Sequence, residues 1–222
     1  MRTGPLSTLP MQRSSAASAC FCWLREAGPN PGRRPPRSNP PFDDGAPRKR
    51  SIAVRSALAI GVTASSLTAT WLWIPPAPFG VETDMATADR LAYALKWELP
   101  VLVWLAGCLR LVASIRYRSD EDRPGAAYGP PSARLAVPAA VLQNSLEQTV
   151  LAVGAHLILA VVLRGEELIL IPALVTLYLL GRVMFAIGYV KGAAARAFGM
   201  ALTGASTLAA MVIAIVLLIL GR

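Results

Sequence analysis

Five apolar stretches of membrane-crossing length, at 52–74, 91–115, 139–163, 168–190 and 198–220, leave this 222-residue chain very few folds to choose from. A bilayer's hydrocarbon core is about 30 Å thick, and about 20 apolar residues cross it as a helix. Backbone N–H and C=O groups find no water there, so only helices or closed barrels can span it. The stretches are continuously apolar and lack strand-like alternation, which selects helices. With 54% of residues hydrophobic and only 16% charged, the chain reads as an integral membrane protein rather than a soluble domain. The expected fold class is all-α, a multi-pass transmembrane helix bundle.

The net charge of +9 invites a nucleic-acid reading, but its placement argues against one. Arg48, Lys49 and Arg50 abut the first stretch; Arg116, Arg118, Arg123 and Arg134 lie between the second and third, and Lys191 and Arg196 between the last two. The alternate connections carry Glu82, Asp84, Asp89, Glu166 and Glu167, with Arg90 and Arg164 as their cations. Cationic loops stay on the cytoplasmic side, so the pattern predicts a cytoplasmic N-terminus and an external C-terminus. Trp71 and Trp73 suit an aromatic belt at the outer interface. The basic balance is a topology signal, and no nucleic-acid partner is expected; the lipid bilayer is the expected one.

Residues 1–50 are rich in Pro, Arg and Ser and lack apolar periodicity. A disordered tail, an organelle-type leader and an upstream start that is not used all fit that composition. Residues 51–75 form an additional membrane helix, and 91–222 a four-helix domain. The three cysteines provide neither a disulfide framework nor a metal set: Cys20 and Cys22 are a lone CxC, and Cys108 sits mid-helix as a small packing residue. No metal site is expected.

Polar residues inside the apolar stretches are the candidates for function, because an ionisable group in hydrocarbon costs at least ~2.5 kcal/mol on insertion scales. Asn144 and Glu147 are three apart and share a helix face with Gln148, while Gln143 flanks its edge. Only Arg164-Gly165-Glu166-Glu167 separates the third stretch from the fourth, so the two form an antiparallel hairpin. Arg182 and Tyr189 then lie near the depth of Asn144 and Glu147, with Arg196 just beyond. Arg182 is the available partner for Glu147, and such a pair serves either a site or simple helix locking. Tyr189 reads as a ligand contact or an interface anchor, and Arg196 as a site residue or a topology residue. His156 is expected to be a hydrogen-bonded packing residue, and Lys96, Glu98 and Arg110 to snorkel toward water. Gly181, Gly188, Gly192, Gly199 and Gly204 would allow close helix approach.

Leu142-Gln143-Asn144-Ser145-Leu146-Glu147-Gln148, followed by Gly181-Arg182 through Gly188-Tyr189 and then Arg196-Ala197-Phe198-Gly199, resembles the MAPEG family, in its bacterial-type form. The name stands for membrane-associated proteins in eicosanoid and glutathione metabolism. The resemblance covers roughly 91–222 and implies a four-helix protomer assembled as a homotrimer, with glutathione between subunits near the cytoplasmic leaflet. It further implies that Asn144, Glu147, Arg182 and Tyr189 bind glutathione or another low-molecular-weight thiol. Arg196, the catalytic candidate, would stabilise the thiolate. The implied activity is a transferase or peroxidase acting on a lipophilic small-molecule substrate, in a bacterial inner membrane. Two positions depart from the eukaryotic pattern: Ala140 replaces an Arg four residues before the Asn, and Phe185 a Tyr three residues after the Arg. Besides the enzyme, two other readings fit: a non-catalytic scaffold with a structural Glu147–Arg182 pair, and a small transporter. The transporter lacks the internal repeat such folds show.

Overall fold

The computed structural model describes residues 46–222, and the expectations for the tail and for Cys20 and Cys22 lie outside the described residues. Five helices follow one another: α1 Ala46–Trp73, α2 Thr87–Arg118, α3 Ala133–Val162, α4 Leu170–Tyr189 and α5 Ala193–Ile219. Short 3-10 turns at Ala77–Phe79 and Gly165–Ile169 join α1 to α2 and α3 to α4. All five are long and apolar enough to cross a membrane, and the described residues contain no strand. The protein is an all-helical membrane bundle. Its helices alternate in direction between the end where α1 begins (proximal) and the end bearing the Gly165–Ile169 turn (distal).

The helices extend beyond their apolar stretches where polar residues can begin them. Residues 46–50, expected to belong to the tail, form the first turn of α1. α3 starts at Ala133 rather than near 139 because Ser132 caps it, its Oγ accepting the Leu135 N–H at 3.3 Å. Asp122 fixes that cap: one carboxylate oxygen accepts the Ser132 N–H at 2.8 Å and the other the Ser132 hydroxyl at 2.7 Å. Pro138 therefore lies inside α3, and Pro100 inside α2, each removing one backbone donor.

α4 is the centre of the bundle, burying 67% of its membrane window against 11% for α1, whose apolar face is left to lipid. Its tightest neighbour is α5, and glycine makes that approach possible. A Cβ on Gly181 would lie 2.4 Å from Thr203 Oγ1, and one on Gly199 only 2.3 Å from the Phe185 nitrogen. A Cβ on Gly188 would meet the Ala195 carbonyl oxygen at 2.6 Å. Gly204, by contrast, has open space, and Gly192 works as a turn, with φ of 104° between α4 and α5. At the distal end Arg90 Nη1 donates to the terminal Leu163 carbonyl of α3 at 2.5 Å. The bond occupies one of the orphan acceptors at that helix end.

Candidate functional site

Arg182 is fully buried, at 0% exposure on the central helix. Its position one residue after the Gly181 contact puts the guanidinium between α4 and α3. Nη1 donates to Asn144 Oδ1 and Nη2 to Ser145 Oγ, both at 2.9 Å. Ser145 is also tied to α2, accepting Trp104 Nε1–H at 3.3 Å. Three helices thus hold one cation through neutral partners, and Arg182 Nε is left with no acceptor.

The expected Glu147–Arg182 bridge does not form. Glu147 is exposed on α3 and accepts Gln143 Nε2–H at 2.9 Å. The reason is angular: with 3.6 residues per turn, Ser145 and Asn144 face α4, and Glu147 lies off to one side of that face. The extended start of α3 also places Asn144 about three turns inside the helix rather than in its first turns. A carboxylate and an amide stand paired on the outer surface of the bundle at membrane depth.

From Arg182 a ladder of cation, ring, ring and cation descends toward the proximal end. The Arg182 guanidinium carbon lies 4.4 Å from the Phe185 ring centroid. Phe185 and Tyr189 meet edge to face, with centroids 5.4 Å apart and planes at 78°. Arg196 covers the Tyr189 ring, again at 4.4 Å. Arg196 is not in the link between helices: it stands in the first turn of α5, which returns it over the end of α4. Cation–π contacts of this geometry favour a guanidinium by ~0.5–2 kcal/mol, depending on desolvation. Asn144, Arg182, Tyr189 and Arg196 are thus brought into one connected system, with Phe185 as the rung between them. Glu147 is set apart.

Two further buried polar pairs lie distal to this system. Thr149 and Tyr178 share a hydrogen bond at 2.7 Å between α3 and α4. His156 Nδ1 and Glu98 Oε1 share one of 2.6 Å, at 0% and 1% side-chain exposure. Glu98 was expected to snorkel and does not. It lies eleven residues inside α2, about 16 Å from the helix start, too deep for a short side chain to reach water. That depth was the signal available in the sequence. Ser145 and Trp104 offered none, since a hydroxyl and an indole among apolar residues are ordinary packing. Among the described residues no cluster suited to a metal ion occurs.

Membrane-length helices around a polar system of cations, amide and rings define an integral membrane protein with an intramembrane polar site. The model of the MAPEG family matches residues 92–216, spanning α2 to α5 and every residue of that system, and this chain belongs to the family. α1 lies outside the match. Neither the curated proteins nor the solved structures compared with the chain give a match.

Proposed function

We propose that this protein is a thiol-dependent transferase or peroxidase, using glutathione or another low-molecular-weight thiol on lipophilic electrophiles that arrive through the bilayer. The observation that carries the reading is the cation–ring ladder from Arg182 to Arg196, which sets one fixed positive charge inside the bundle and a second where α5 begins. The residues suit an anionic thiol tripeptide. Arg196 is held by a ring, with no carboxylate within ion-pair distance among the described residues. The bound thiol would supply a nucleophilic sulfur that attacks an electrophilic carbon or a peroxide oxygen.

The protein's own contributions follow from the geometry. Arg196 stands in the first turn of α5, where the helix dipole is positive. Together they favour a thiolate over a thiol. Arg182, locked by Asn144 and Ser145 and buried within the bundle, contributes a fixed positive charge rather than a direct donor. Tyr189 holds Arg196 in place and presents its hydroxyl near the proximal end. Phe185 donates no hydrogen bond, and a ring between the Arg182 guanidinium and the Tyr189 ring is what it offers instead of a hydroxyl. Ala140 supplies no cation at all, so carboxylate binding rests on the ladder.

Glu147 and Gln143 support a homotrimer with the site between subunits. A carboxylate at membrane depth on an outer surface is costly unless a second protomer covers it. The positive-inside pattern supports a cytoplasmic N-terminus in a bacterial inner membrane, with the proximal end facing the soluble thiol. The scaffold reading loses the Glu147–Arg182 pair it relied on, because the helix lock is Asn144–Arg182–Ser145 instead.

Thermal unfolding of the detergent-purified protein, with and without millimolar glutathione, tests the proposal. A ligand specific to the folded state adds about 2.7 kcal/mol at one hundred times Kd. A stabilisation that shrinks in Arg196→Ala is the expected result. No shift in either protein at saturating glutathione would sink the glutathione assignment.

A further inference from the structure

The helix outside the family match builds a feature of its own. Between α1 and α4 lies an apolar cleft of about 300 Å³, walled by Thr70 and Ile74 on one side, by Thr176 and Leu180 on the other, and by Trp97 of α2. Thr176 and Leu180 are six and ten residues inside α4, about 9 and 15 Å from its distal start, at the depth of lipid chains. The cleft offers little to a polar ligand: Thr70 Oγ1 donates to the Ser66 carbonyl at 2.9 Å and Thr176 Oγ1 to the Pro172 carbonyl at 2.8 Å. Hydrocarbon is what fits it.

A second cavity at the distal end shares Ile74 and Ile169 with the cleft and is lined by Trp71, Thr83, Arg164, Glu166 and Glu167. Glu167 is already engaged, accepting Arg222 Nη1 at 2.5 and 2.6 Å and the Arg164 backbone N–H at 2.9 Å. The side chains of Arg164 and Glu166 are exposed and make no ion pair among the described residues. A guanidinium beside a carboxylate complements a head that carries both a phosphate and an ammonium. A head with only negative charge would meet Glu166 unfavourably. Trp71, half exposed at the same level, suits the headgroup boundary.

We propose that this cleft and its distal mouth bind a zwitterionic glycerophospholipid, one acyl chain lying between α1 and α4 and the head on Arg164 and Glu166. The site is independent of the thiol reading. It makes α1 a lipid-binding addition to the family core.

Native mass spectrometry of the full chain, extracted from vesicles of equal phosphatidylethanolamine and phosphatidylglycerol, tests it. The wild type should retain one phosphatidylethanolamine per chain, about tenfold over phosphatidylglycerol, equivalent to ~1.4 kcal/mol. Ala173→Trp, which fills the cleft, should lose retention about tenfold. Thr176→Leu is the milder second variant, and helical circular dichroism establishes that each is folded. Gly204→Leu, in the separate α1–α5 groove where a side chain has open space, should retain lipid normally. Glu166→Gln should erase the preference between the two lipids. No retained lipid in the wild type, equal retention of both lipids, or unchanged retention in a folded cleft variant would each overturn the proposal.

Discussion

Arg182 shows how a cation survives at the centre of a membrane bundle without a carboxylate. Its two terminal nitrogens are satisfied by an amide and a hydroxyl, and its flat face by a ring. Hydrogen bonds to a charged group contribute roughly 1.5–3 kcal/mol. Asn144→Ala should therefore lower stability by about that amount, read as unfolding in mixed detergent–denaturant micelles. Glu147→Gln, on the outer surface, should leave the isolated protomer's stability almost unchanged. The Glu98–His156 pair behaves differently, because removing one member strands the other. His156→Ala leaves a carboxylate buried without a partner and should cost about 3–5 kcal/mol. Glu98→Gln leaves a neutral imidazole and should cost less.

At the scale of elements, α4 and α5 are joined by backbone approach rather than by large side chains. Gly181→Ala and Gly199→Ala must push the helices apart, since each new methyl would fall within 2.4 Å of a neighbouring atom. Overpacking of this kind typically costs about 1–3 kcal/mol. It should also loosen the Arg196–Tyr189 contact that depends on the crossing. Gly204→Ala is the matched control and should be neutral or slightly stabilising, because alanine favours a helix over glycine. The 119–132 connection carries its own pH dependence. Backbone and side-chain hydrogen bonds from Ser132, opposed by burial and helped further by Ser119 and the Arg116 charge, hold the Asp122 carboxyl below its ordinary 3.8. A carboxyl depressed in the folded state stabilises fully above its unfolded value, and the contribution fades as pH falls through the lower folded one. Proteolysis of this connection should thus rise as pH drops below about 3.8. Asp122→Asn should show that sensitivity already at neutral pH.

Among the described residues the bundle buries polar side chains such as Arg182, Glu98 and His156 between helices, Lys96 and Arg110 of α2 are exposed, and so at membrane depth on α3 are Gln143 and Glu147. If a second protomer covers them, Glu147→Leu should change oligomeric mass in mild detergent while leaving the protomer's helix content intact. Mass photometry or cross-linking reads the outcome directly. An unchanged assembly would place Glu147 at a lipid or ligand surface instead.

Length, apolarity and charge placement were local properties, and they sufficed for the helix count and the up-and-down order, while the family rested on the resemblance of the segments around Asn144, Arg182, Tyr189 and Arg196. The pairing of backbone groups within hydrocarbon leaves a helix no alternative, whatever its neighbours are. The sequence also located Asn144, Arg182, Tyr189 and Arg196 as a set, because hairpin connections fix depth. It could not say which way a side chain turns about its helix axis. Glu147 and Asn144 are three residues apart and share a stripe in any sequence-level account. Yet one faces outward and the other holds Arg182, because α4 meets α3 along the Ser145 line. Glu98 and His156 are 58 residues apart on different helices, and their pairing exists only once α2 and α3 pack. Depth is written along the chain; azimuth is decided where helices meet, and here the glycine-limited distance between α4 and α5 sets the geometry around which the rest of the site is arranged.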